Sequence, residues 1–468
     1  MFWRLICCFS TLTVLGCGSV DPRPSFNALE ADLATRVPQK VHWIQGTAED
    51  HEIAEYVAST LKKELSADDA VQIALFNNHH LQSIYEELGV SQASLVQAGK
   101  LRNPKLSGFY LTPAATGSAA IAGIDLALNF LDLFYIPMRK RIEKARLEET
   151  RARISVEVLR LAGQVRMSFY EYQASLAREE VLKLASNVAK GSADATDELR
   201  KAGNTTELAL EQERDFNDQA SLDLTGAEAS TAEKREKLIR LLGLWGDNAS
   251  AMKIQSRLPD MPEIAALPEN LEQEVLDKSF ELAASRKRIE AVSQEAGLKN
   301  WEALLPEFEL GPSSELEGKI WHVGPGAGLS LPIFDQGQGK KAMVNARLRQ
   351  ELAEYVQFVV EERSQARFCQ KRLKAARERA TFIQSTVIPR REKIYKESVL
   401  HYNAMQVSMF QLLNIKRKEG EAGLSLIEAL RDYWVSQSAL DILRAGAALD
   451  MDAVKFSSSM SSTQNSHE

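Results

Sequence analysis

The sequence predicts a mainly α-helical protein with a smaller β part, built from two copies of one plan. Two segments, 104–136 and 306–334, contain apolar residues that alternate with polar ones, which predicts a pair of strands in each. A charged helical stretch follows each pair, turns back at a tip and returns as a second long helix. Because the same order occurs twice in one chain, we infer an internal repeat.

The second strand of the first pair shows the alternation most clearly. Ile124, Leu126 and Leu128 lie on one face of a strand, and Asp125 and Asn129 lie on the other. An apolar outer face and a polar inner face over about ten residues are typical of transmembrane barrel strands. A sheet on a soluble domain gives the same alternation, so the pattern alone leaves both interpretations open.

The long helices are predicted over 138–189 and 339–387, the second interrupted at Pro389, with tips near 191–206 and 401–408. Their apolar residues follow the 3.5-residue repeat of a coiled coil rather than the wider stripe of a globular helix. The first series is Ile154, Val158, Leu161, Val165, Tyr172 and Leu176, and the second is Leu352, Val356, Val359, Ala366, Leu373 and Ala380. We therefore expect antiparallel helical hairpins.

The predicted organisation divides the chain into six segments. They are a signal peptide (1–16), a lipidated N-terminal extension (17–65), the first repeat (66–250), a linker (251–269), the second repeat (270–448) and a disordered tail (449–468). The signal peptide has one basic residue and a short apolar run, and it ends in Val-Leu-Gly before Cys17. This end resembles a bacterial lipobox, which predicts that Cys17 is acylated. Plain cleavage beside an incidental cysteine is the alternative.

Composition and motifs argue against several functional classes. The chain has 468 residues and a formal net charge of −7, which gives no electrostatic reason to expect nucleic-acid binding. His79 and His80 have no further ligand at metal-binding spacing, so no metal site is predicted. Gly337 and Gly339 before Lys340 do not have the spacing of a phosphate-binding loop. No catalytic constellation stands out, and the sequence predicts neither an enzyme nor a cofactor.

The number of predicted strands indicates an oligomer. No stretch after the signal peptide reaches the eighteen apolar residues of a transmembrane helix, so a membrane crossing would use the strands. Two strand pairs supply four strands, whereas a closed barrel needs about eight or more. An open sheet in lipid leaves unpaired backbone groups at its edges, each costing several kcal/mol. Each subunit is therefore expected to donate a quarter, a third or half of a barrel wall.

The layout resembles the TolC-type outer-membrane efflux channels. The resemblance covers about residues 60–448 and is carried by the order of the elements, by "PIFDQGQ" at the second strand-to-helix junction, by "AGNTTELALEQERD" after the first tip and by "IALFNNHHLQ" in the opening helix. It implies a homotrimer whose subunits donate four strands each to a 12-stranded transmembrane β-barrel. Long helices would continue that barrel as an α-helical coiled-coil tunnel across the periplasm, with outer-membrane lipid around the strands.

In that family the channel is a passive exit duct. The resemblance implies that this chain conducts drugs or metal ions out of the cell, coupled to a periplasmic adaptor (membrane fusion) protein and an inner-membrane pump. The alternative is a periplasmic coiled-coil adaptor or structural lipoprotein without a channel. Fractionation with the outer membrane, and a trimer in mild detergent, would distinguish the channel from this alternative.

The resemblance also implies a gate near the periplasmic tips, where acidic rings of the family help to govern opening. At the corresponding positions of the second returning helix this chain has the neutral amides Gln411 and Asn414. On the first returning helix Glu207 is among the nearest acids. We expect these three residues to contribute to the closed gate.

A further set of residues is expected at the strand-to-helix junctions. Pro137, Pro332 and Gly337 lie where the chain changes from sheet to helical geometry, since proline cannot donate to a ladder and glycine permits a bend. Asp335 is the expected N-cap of the second long helix. The loops 112–123 and 312–322 would lie at the other end of the strands and face the outside of the cell.

Overall fold

A computed structural model describes residues 20–112, 120–262 and 270–449 of the chain. The predicted signal peptide, the predicted acylation site Cys17 and the segment 450–468 lie outside the described residues. The predictions made for them stay predictions.

Two compact units make up the described chain, and each contains parts of both predicted repeats. The sheet unit comprises the described residues up to 31 together with 83–155 and 280–359, and the helical unit comprises the described residues of 32–82, of 156–279 and from 360 onward. Both strand pairs therefore belong to the sheet unit, and both tips belong to the helical unit.

Helices account for most of the described residues. In chain order they are α1 (Arg23–Ala34), α2 (Ala48–Leu61), α3 (Ala67–Asn77), α4 (His79–Ala98), α5 (Asp132–Lys201), α6 (Glu207–Leu242), α7 (Gly246–Ala251), α8 (Leu271–Lys278), α9 (Phe280–Leu304), α10 (Gln338–Phe382), α11 (Ile388–Asn403) and α12 (Met409–Ala445). Within the described ranges, none of them combines the length and the apolar character that a membrane-spanning helix requires.

Four antiparallel strands form one sheet in the sheet unit. They are β1 (Lys105–Leu111), β2 (Ile121–Asn129), β3 (Phe308–Glu317) and β4 (Ile320–Leu329), hydrogen-bonded in the order β1-β2-β3-β4. The central contact is between the two repeats, because β2 pairs with β3, with Asp125 opposite Ser313. This order leaves β1 and β4 at the two edges of the sheet.

The alternation predicted for β2 is observed. Ile124, Leu126 and Leu128 are 51%, 37% and 48% exposed, so the apolar face of the strand is open in the single chain. On the opposite face, Asp125 accepts a hydrogen bond from Ser313 Oγ. The sheet therefore has an exposed apolar face and a face on which polar groups of neighbouring strands pair.

The first strand pair is shorter than the predicted 104–136. β2 ends at Asn129, whose Oδ1 accepts a hydrogen bond from the Leu131 N–H at 3.1 Å. Helix α5 begins at Asp132, an acidic residue that suits the positive end of a helix. These local hydrogen bonds end the strand several residues before the proline that was expected to end it.

The second strand pair is also shorter than the predicted 306–334, and the loop predicted over 312–322 was wrong. β3 continues to Glu317, and β4 starts three residues later at Ile320. Gly318 has a φ of 65°, which allows the tight two-residue turn that connects them. Pro312, Ser313 and Ser314, which were expected in this loop, lie inside the ladder instead.

The predicted interruption near Pro389 takes the form of a π-helical turn rather than of a helix end. A π-helical turn, Ile383–Val387, follows α10, and the chain then continues as α11 to Asn403. Such a turn shifts the hydrogen-bond pattern by one residue, and Pro389 lies at the start of the segment that follows. A missing backbone N–H is tolerated at that position, so the helix does not end there.

The opening helix of each repeat breaks at an equivalent place. Asn78 separates α3 from α4, and Ser279 separates α8 from α9, each with an extended backbone. The two breaks are held differently. Asn78 Nδ2 donates to the Leu241 carbonyl at 2.9 Å, whereas Ser279 Oγ donates to the buried Glu362 at 2.8 Å.

The coiled-coil series of α5 forms core, as predicted. Ile154, Val158 and Val165 are fully buried. The series of α10 is buried only in its second half, because Leu352 and Val356 are 48% and 61% exposed. The described chain thus leaves an apolar stretch of α10 open to solvent.

One end of the predicted disordered tail is ordered. Leu449 was assigned to the tail but is 4% exposed. Its Cδ1 would lie 2.7 Å from a Cβ added at Gly163, so the chain packs tightly against α5 up to this residue. The remainder of the predicted tail lies outside the described residues.

Candidate functional site: strand-to-helix junctions and helix tips

The first junction is fixed by the start of α5 rather than by its proline. Asp132 is 2% exposed and forms ion pairs with Arg139 and with Arg102. Tyr135 packs against Leu298, and its hydroxyl donates to the Leu305 carbonyl at 2.7 Å. These contacts hold the beginning of α5 against the end of α9 at the point where β2 stops.

Pro137 lies inside α5, five residues after its start. Its ring lacks the N–H that an interior helical residue donates, but the helix continues unbroken through it. The direction change that was expected at Pro137 is complete by Asp132. Its expected role in the junction stays a prediction.

The second junction is an irregular segment between β4 and α10. Gly337 closes it with a φ of 74°, and a Cβ added there would lie 2.6 Å from the Ala303 side chain. Both the positive φ and the close approach require glycine. Pro332 lies in the same segment, five residues before Gly337.

Asp335 stabilises this segment in a different way from the predicted N-cap. Its Oδ1 accepts a hydrogen bond from the Gly337 N–H at 2.9 Å, two residues further on. Helix α10 begins at Gln338, so Asp335 stands two positions before the cap. The carboxylate therefore forms an Asx turn that precedes the helix, and the N-cap prediction was wrong.

The first tip connects α5 to α6, and its acidic side chains form an ion pair and a hydrogen bond within the chain. Glu207 forms an ion pair with Arg200, with Oε2 2.9 Å from Nε. Glu213, which the sequence did not single out, is buried and accepts a hydrogen bond from Ser192 Oγ at 2.6 Å. Thr206 caps α6 by accepting from the Ala209 N–H. The acids of this tip thus hold the hairpin together in the single chain.

The second tip connects α11 to α12, and its two amide side chains, Gln411 and Asn414, make different contacts. Gln411 is part of a capping box, since its Oε1 accepts from the Ser408 N–H at 3.0 Å while Ser408 Oγ accepts from the Gln411 N–H. Asn414 is exposed, and its side chain makes no hydrogen bond to any residue that the structure describes. Asn414 is therefore the amide that is available for contacts outside the chain.

Two consecutive cations on α12 contact aromatic rings near this tip. The Arg417 guanidinium lies 3.3 Å from the centre of the Phe216 ring on α6. The Lys416 ammonium lies 4.4 Å from the centre of the Tyr395 ring on α11. The Arg417 contact joins the second hairpin to the first, whereas the Lys416 contact joins the two helices of the second hairpin.

No candidate metal centre accompanies these features. Across the described ranges, no group of three or more His, Cys, Asp or Glu side chains is placed to hold a metal ion. Cys369 of α10 is buried, and burial raises the pKa of its thiol to about 11.

Comparison with known proteins gave no matching family model. The cobalt-zinc-cadmium resistance protein CzcC of Cupriavidus metallidurans is 23% identical over 385 residues, which cover 81% of this chain and 89% of CzcC. The outer membrane protein VceC from Vibrio cholerae superposes with a TM-score of 0.65 and 16% identity, covering 81% of this chain and 96% of VceC. The Campylobacter jejuni CmeC outer membrane channel gives a TM-score of 0.65 and 15% identity, covering 90% of this chain and 91% of CmeC.

The chain has the fold of the TolC-type outer-membrane efflux channels. The resemblance inferred from the order of the sequence elements is therefore confirmed. In this TolC-type fold the expected junction residues Pro332, Asp335 and Gly337 share one segment. The expected gate residues Gln411 and Asn414 lie in the first turns of α12, and Glu207 is the first residue of α6.

The contact between Arg417 and Phe216 escaped sequence analysis, and it gives a testable prediction. Phe216→Leu keeps an apolar side chain but removes the aromatic ring. The interaction free energy between the side chains at positions 216 and 417 should therefore fall by about 1 kcal/mol. A double-mutant cycle with Arg417→Ala, measured by denaturant unfolding in detergent, gives the coupling. Lys418→Ala, an exposed neighbour, is the matched control and should show no coupling. Equal coupling for residues 417 and 418 would contradict the assignment.

Proposed function

We propose that this chain is the outer-membrane exit duct of a tripartite efflux system. Three chains donate four strands each to a 12-stranded transmembrane barrel, and their long helical hairpins continue it as a periplasmic tunnel. The duct conducts its cargo passively, in assembly with a periplasmic adaptor protein and an inner-membrane pump. The lipid carried by Cys17 anchors the N-terminus in the same membrane.

The observation that carries this proposal is the state of the sheet in a single chain. Its apolar face at Ile124, Leu126 and Leu128 is exposed, and its two edge strands β1 and β4 end the ladder. In water such a face and such edges favour aggregation. Lipid against the apolar face and further copies of the chain at both edges remove both problems, which supports a shared barrel.

Metal ions are the cargo that we favour over drugs. CzcC, a curated relative, is named for resistance to cobalt, zinc and cadmium, and its similarity extends over 81% of this chain. A host that lacks the chain should lose resistance to salts of these metals and keep its resistance to drugs. The reverse pattern would assign the duct to drug export instead.

The gate gives a further prediction. We propose that Asn414 and Gln411 take part in closing the tunnel near the tips, with Glu207 beside them. Asn414→Ala should raise single-channel conductance in planar bilayers, because the free amide no longer bonds across the aperture. Gln411→Ala should in addition weaken the start of α12 by about 1 kcal/mol, since it removes half of the capping box.

Gln411→Glu is the matched control for the capping contribution, because a carboxylate accepts the Ser408 N–H as an amide oxygen does. If Asn414→Ala leaves conductance unchanged while Gln411→Ala raises it, the rise would come from fraying at the start of α12 and not from loss of an amide contact across the aperture. If neither changes it, neither residue belongs to the gate.

The proposed function itself is tested by reconstituting the purified full chain into planar bilayers. We expect discrete conductance steps, together with recovery of the chain in the outer-membrane fraction of its host. A chain that gives no conductance steps and becomes water-soluble once its lipid is removed would instead be a periplasmic coiled-coil adaptor or structural lipoprotein, the alternative that the sequence left open.

A further inference from the structure

Basic residues are concentrated directly after each strand pair of an otherwise acidic chain. Residues 139–146, "RKRIEKAR", contain five basic residues and one acid. Residues 338–350, "QGKKAMVNARLRQ", contain four basic residues and no acid. The whole chain carries a formal net charge of −7, so these two basic segments differ from the composition around them.

Helix stability does not account for this placement. The second basic segment begins in the first turn of α10, where the helix dipole favours negative charge and opposes cations, whereas the first segment begins seven residues after the start of α5. The first turn of α10 contains Lys340 and Lys341 and no acidic residue. Placing cations at the positive end of α10 is unfavourable unless an anion compensates them.

Pairing inside the chain accounts for only part of the charge. On α5, Arg139 pairs with Asp132, and Arg146 pairs with Glu143 and Glu295. The remaining three cations of this segment are exposed and form no ion pair with any residue in the described part of the chain: Lys140, Arg141 and Lys144. On α10 the same holds for the exposed Arg347 and Arg349.

Exposed aromatic side chains lie close to the strand ends along the chain. Phe134, Trp301 and Phe334 are 64%, 55% and 92% exposed. Phe134 lies in the first turn of α5, Trp301 in the last turn of α9, and Phe334 between β4 and α10. On α5, Phe134 and Arg141 are seven residues apart and so share one helical face. The order from the sheet outward is thus apolar strand, aromatic side chain, unpaired cation.

This order matches the layers of a bilayer leaflet. Aromatic side chains favour the boundary between hydrocarbon and headgroups, and unpaired cations next to a membrane segment attract anionic lipid. Lys140 lies six residues beyond Phe134, about 9 Å along the helix axis, and helical side chains lean toward the N-terminus. Its stem therefore reaches back toward the sheet and places the ammonium group at headgroup depth.

We propose that the exposed cations of α5 and α10 bind anionic phospholipid headgroups in the leaflet on the helical side of the sheet. The residues are Lys140, Arg141 and Lys144 on α5, with Arg347 and Arg349 on α10. This inference rests on the proposed function, because it requires that the sheet lies in a membrane. It adds a lipid-binding surface that holds the barrel at a fixed depth and favours one class of phospholipid around it.

The test compares two triple variants of the full chain. The basic triple variant is Lys140→Gln, Arg141→Gln and Lys144→Gln, and the control is Lys183→Gln, Lys190→Gln and Lys371→Gln, three exposed lysines of the helical unit. Each protein is reconstituted into vesicles of phosphatidylcholine with phosphatidylglycerol, re-extracted in mild detergent and analysed for the lipids that remain bound. We expect the wild type and the control to retain phosphatidylglycerol preferentially over phosphatidylcholine. In the basic triple variant, the ratio of bound phosphatidylglycerol to bound phosphatidylcholine should be at least about fivefold lower. Raised salt should lower the preference of the wild type in the same direction.

Conductance of the same variants distinguishes failure of this inference from failure of the proposed function. If the basic triple variant conducts normally and keeps the phosphatidylglycerol preference, the lipid surface is refuted and the duct stands. If it keeps the preference but changes the cation-to-anion selectivity of the current, the cations line the tunnel and the lipid surface is likewise refuted. If the wild type neither inserts into vesicles nor conducts, the proposed function fails, and the inference fails with it.

Discussion

Gly311→Ala is expected to break the sheet between the two repeats, with a loss of about 3 kcal/mol or more from overpacking and from broken ladder hydrogen bonds. A Cβ added at Gly311 would lie 1.6 Å from the Leu126 carbonyl oxygen of β2. No side-chain rotation relieves this overlap, because both groups belong to the backbone. β2 and β3 must therefore move apart at the contact that joins the strand pairs of the two repeats.

The measurement is the far-ultraviolet circular dichroism and the oligomeric state of the variant, purified in the same detergent as the wild type. We expect helical signal to persist while the oligomer is lost, since the helical unit does not contain this contact. Gly324→Ala is the matched control, because Gly324 lies in β4 with no neighbouring atom within 4 Å of an added Cβ. A Gly311→Ala protein that assembles as well as Gly324→Ala would contradict the strand packing described here.

Gly337→Ala is expected to destabilise the second junction by about 2–3 kcal/mol. Alanine adopts a positive φ at a cost of about 1 kcal/mol. The added methyl group would also lie 2.6 Å from Ala303 Cβ, which forces the end of α9 away from the start of α10. The midpoint of denaturant unfolding in detergent measures the loss.

Gly339→Ala, two residues further on, should shift the same midpoint in the opposite direction. Gly339 is helical, and a Cβ added there meets no atom within 4 Å, so alanine stabilises the helix by up to about 1 kcal/mol. Two variants of one chemical type thus have opposite expected signs. Shifts of equal sign and size would show that the junction does not depend on the geometry of Gly337.

The sequence was informative where one short-range rule decides the structure. The period of two in β2 predicted which side chains are exposed, because strand geometry alone sets the face of each residue. The 3.5-residue series of α5 predicted its buried residues for the same reason. The repeated order of elements then led to the correct fold, although no single motif was specific.

Boundaries were predicted poorly because tertiary contacts decide them. The start of α5 depends on buried Asp132 and on the bond from Tyr135 to the Leu305 carbonyl, more than 150 residues away. Pro389 was expected to interrupt the second long helix, and the interruption is a π-helical turn, Ile383–Val387, after which the α-helix resumes. Neither the distant Leu305 carbonyl nor the π-helical turn can be identified from the local sequence.

The candidate gate was only partly accessible for a related reason. Family positions pointed to Gln411 and Asn414 as an equivalent pair, whereas the structure gives Gln411 a capping bond that Asn414 does not have. The Ser408-to-Gln411 spacing was a usable signal for that bond. The Arg417–Phe216 contact joins two hairpins and left no signal in the sequence.

The number of chains in the purified assembly decides whether the barrel is shared, since four strands per chain are too few to close one. Sedimentation equilibrium in a density-matched mild detergent measures the protein mass without the detergent. We expect three times the mass of one processed chain, stable to dilution. A monomer that retains the four-stranded sheet would contradict it, because its sheet edges would then have no partner.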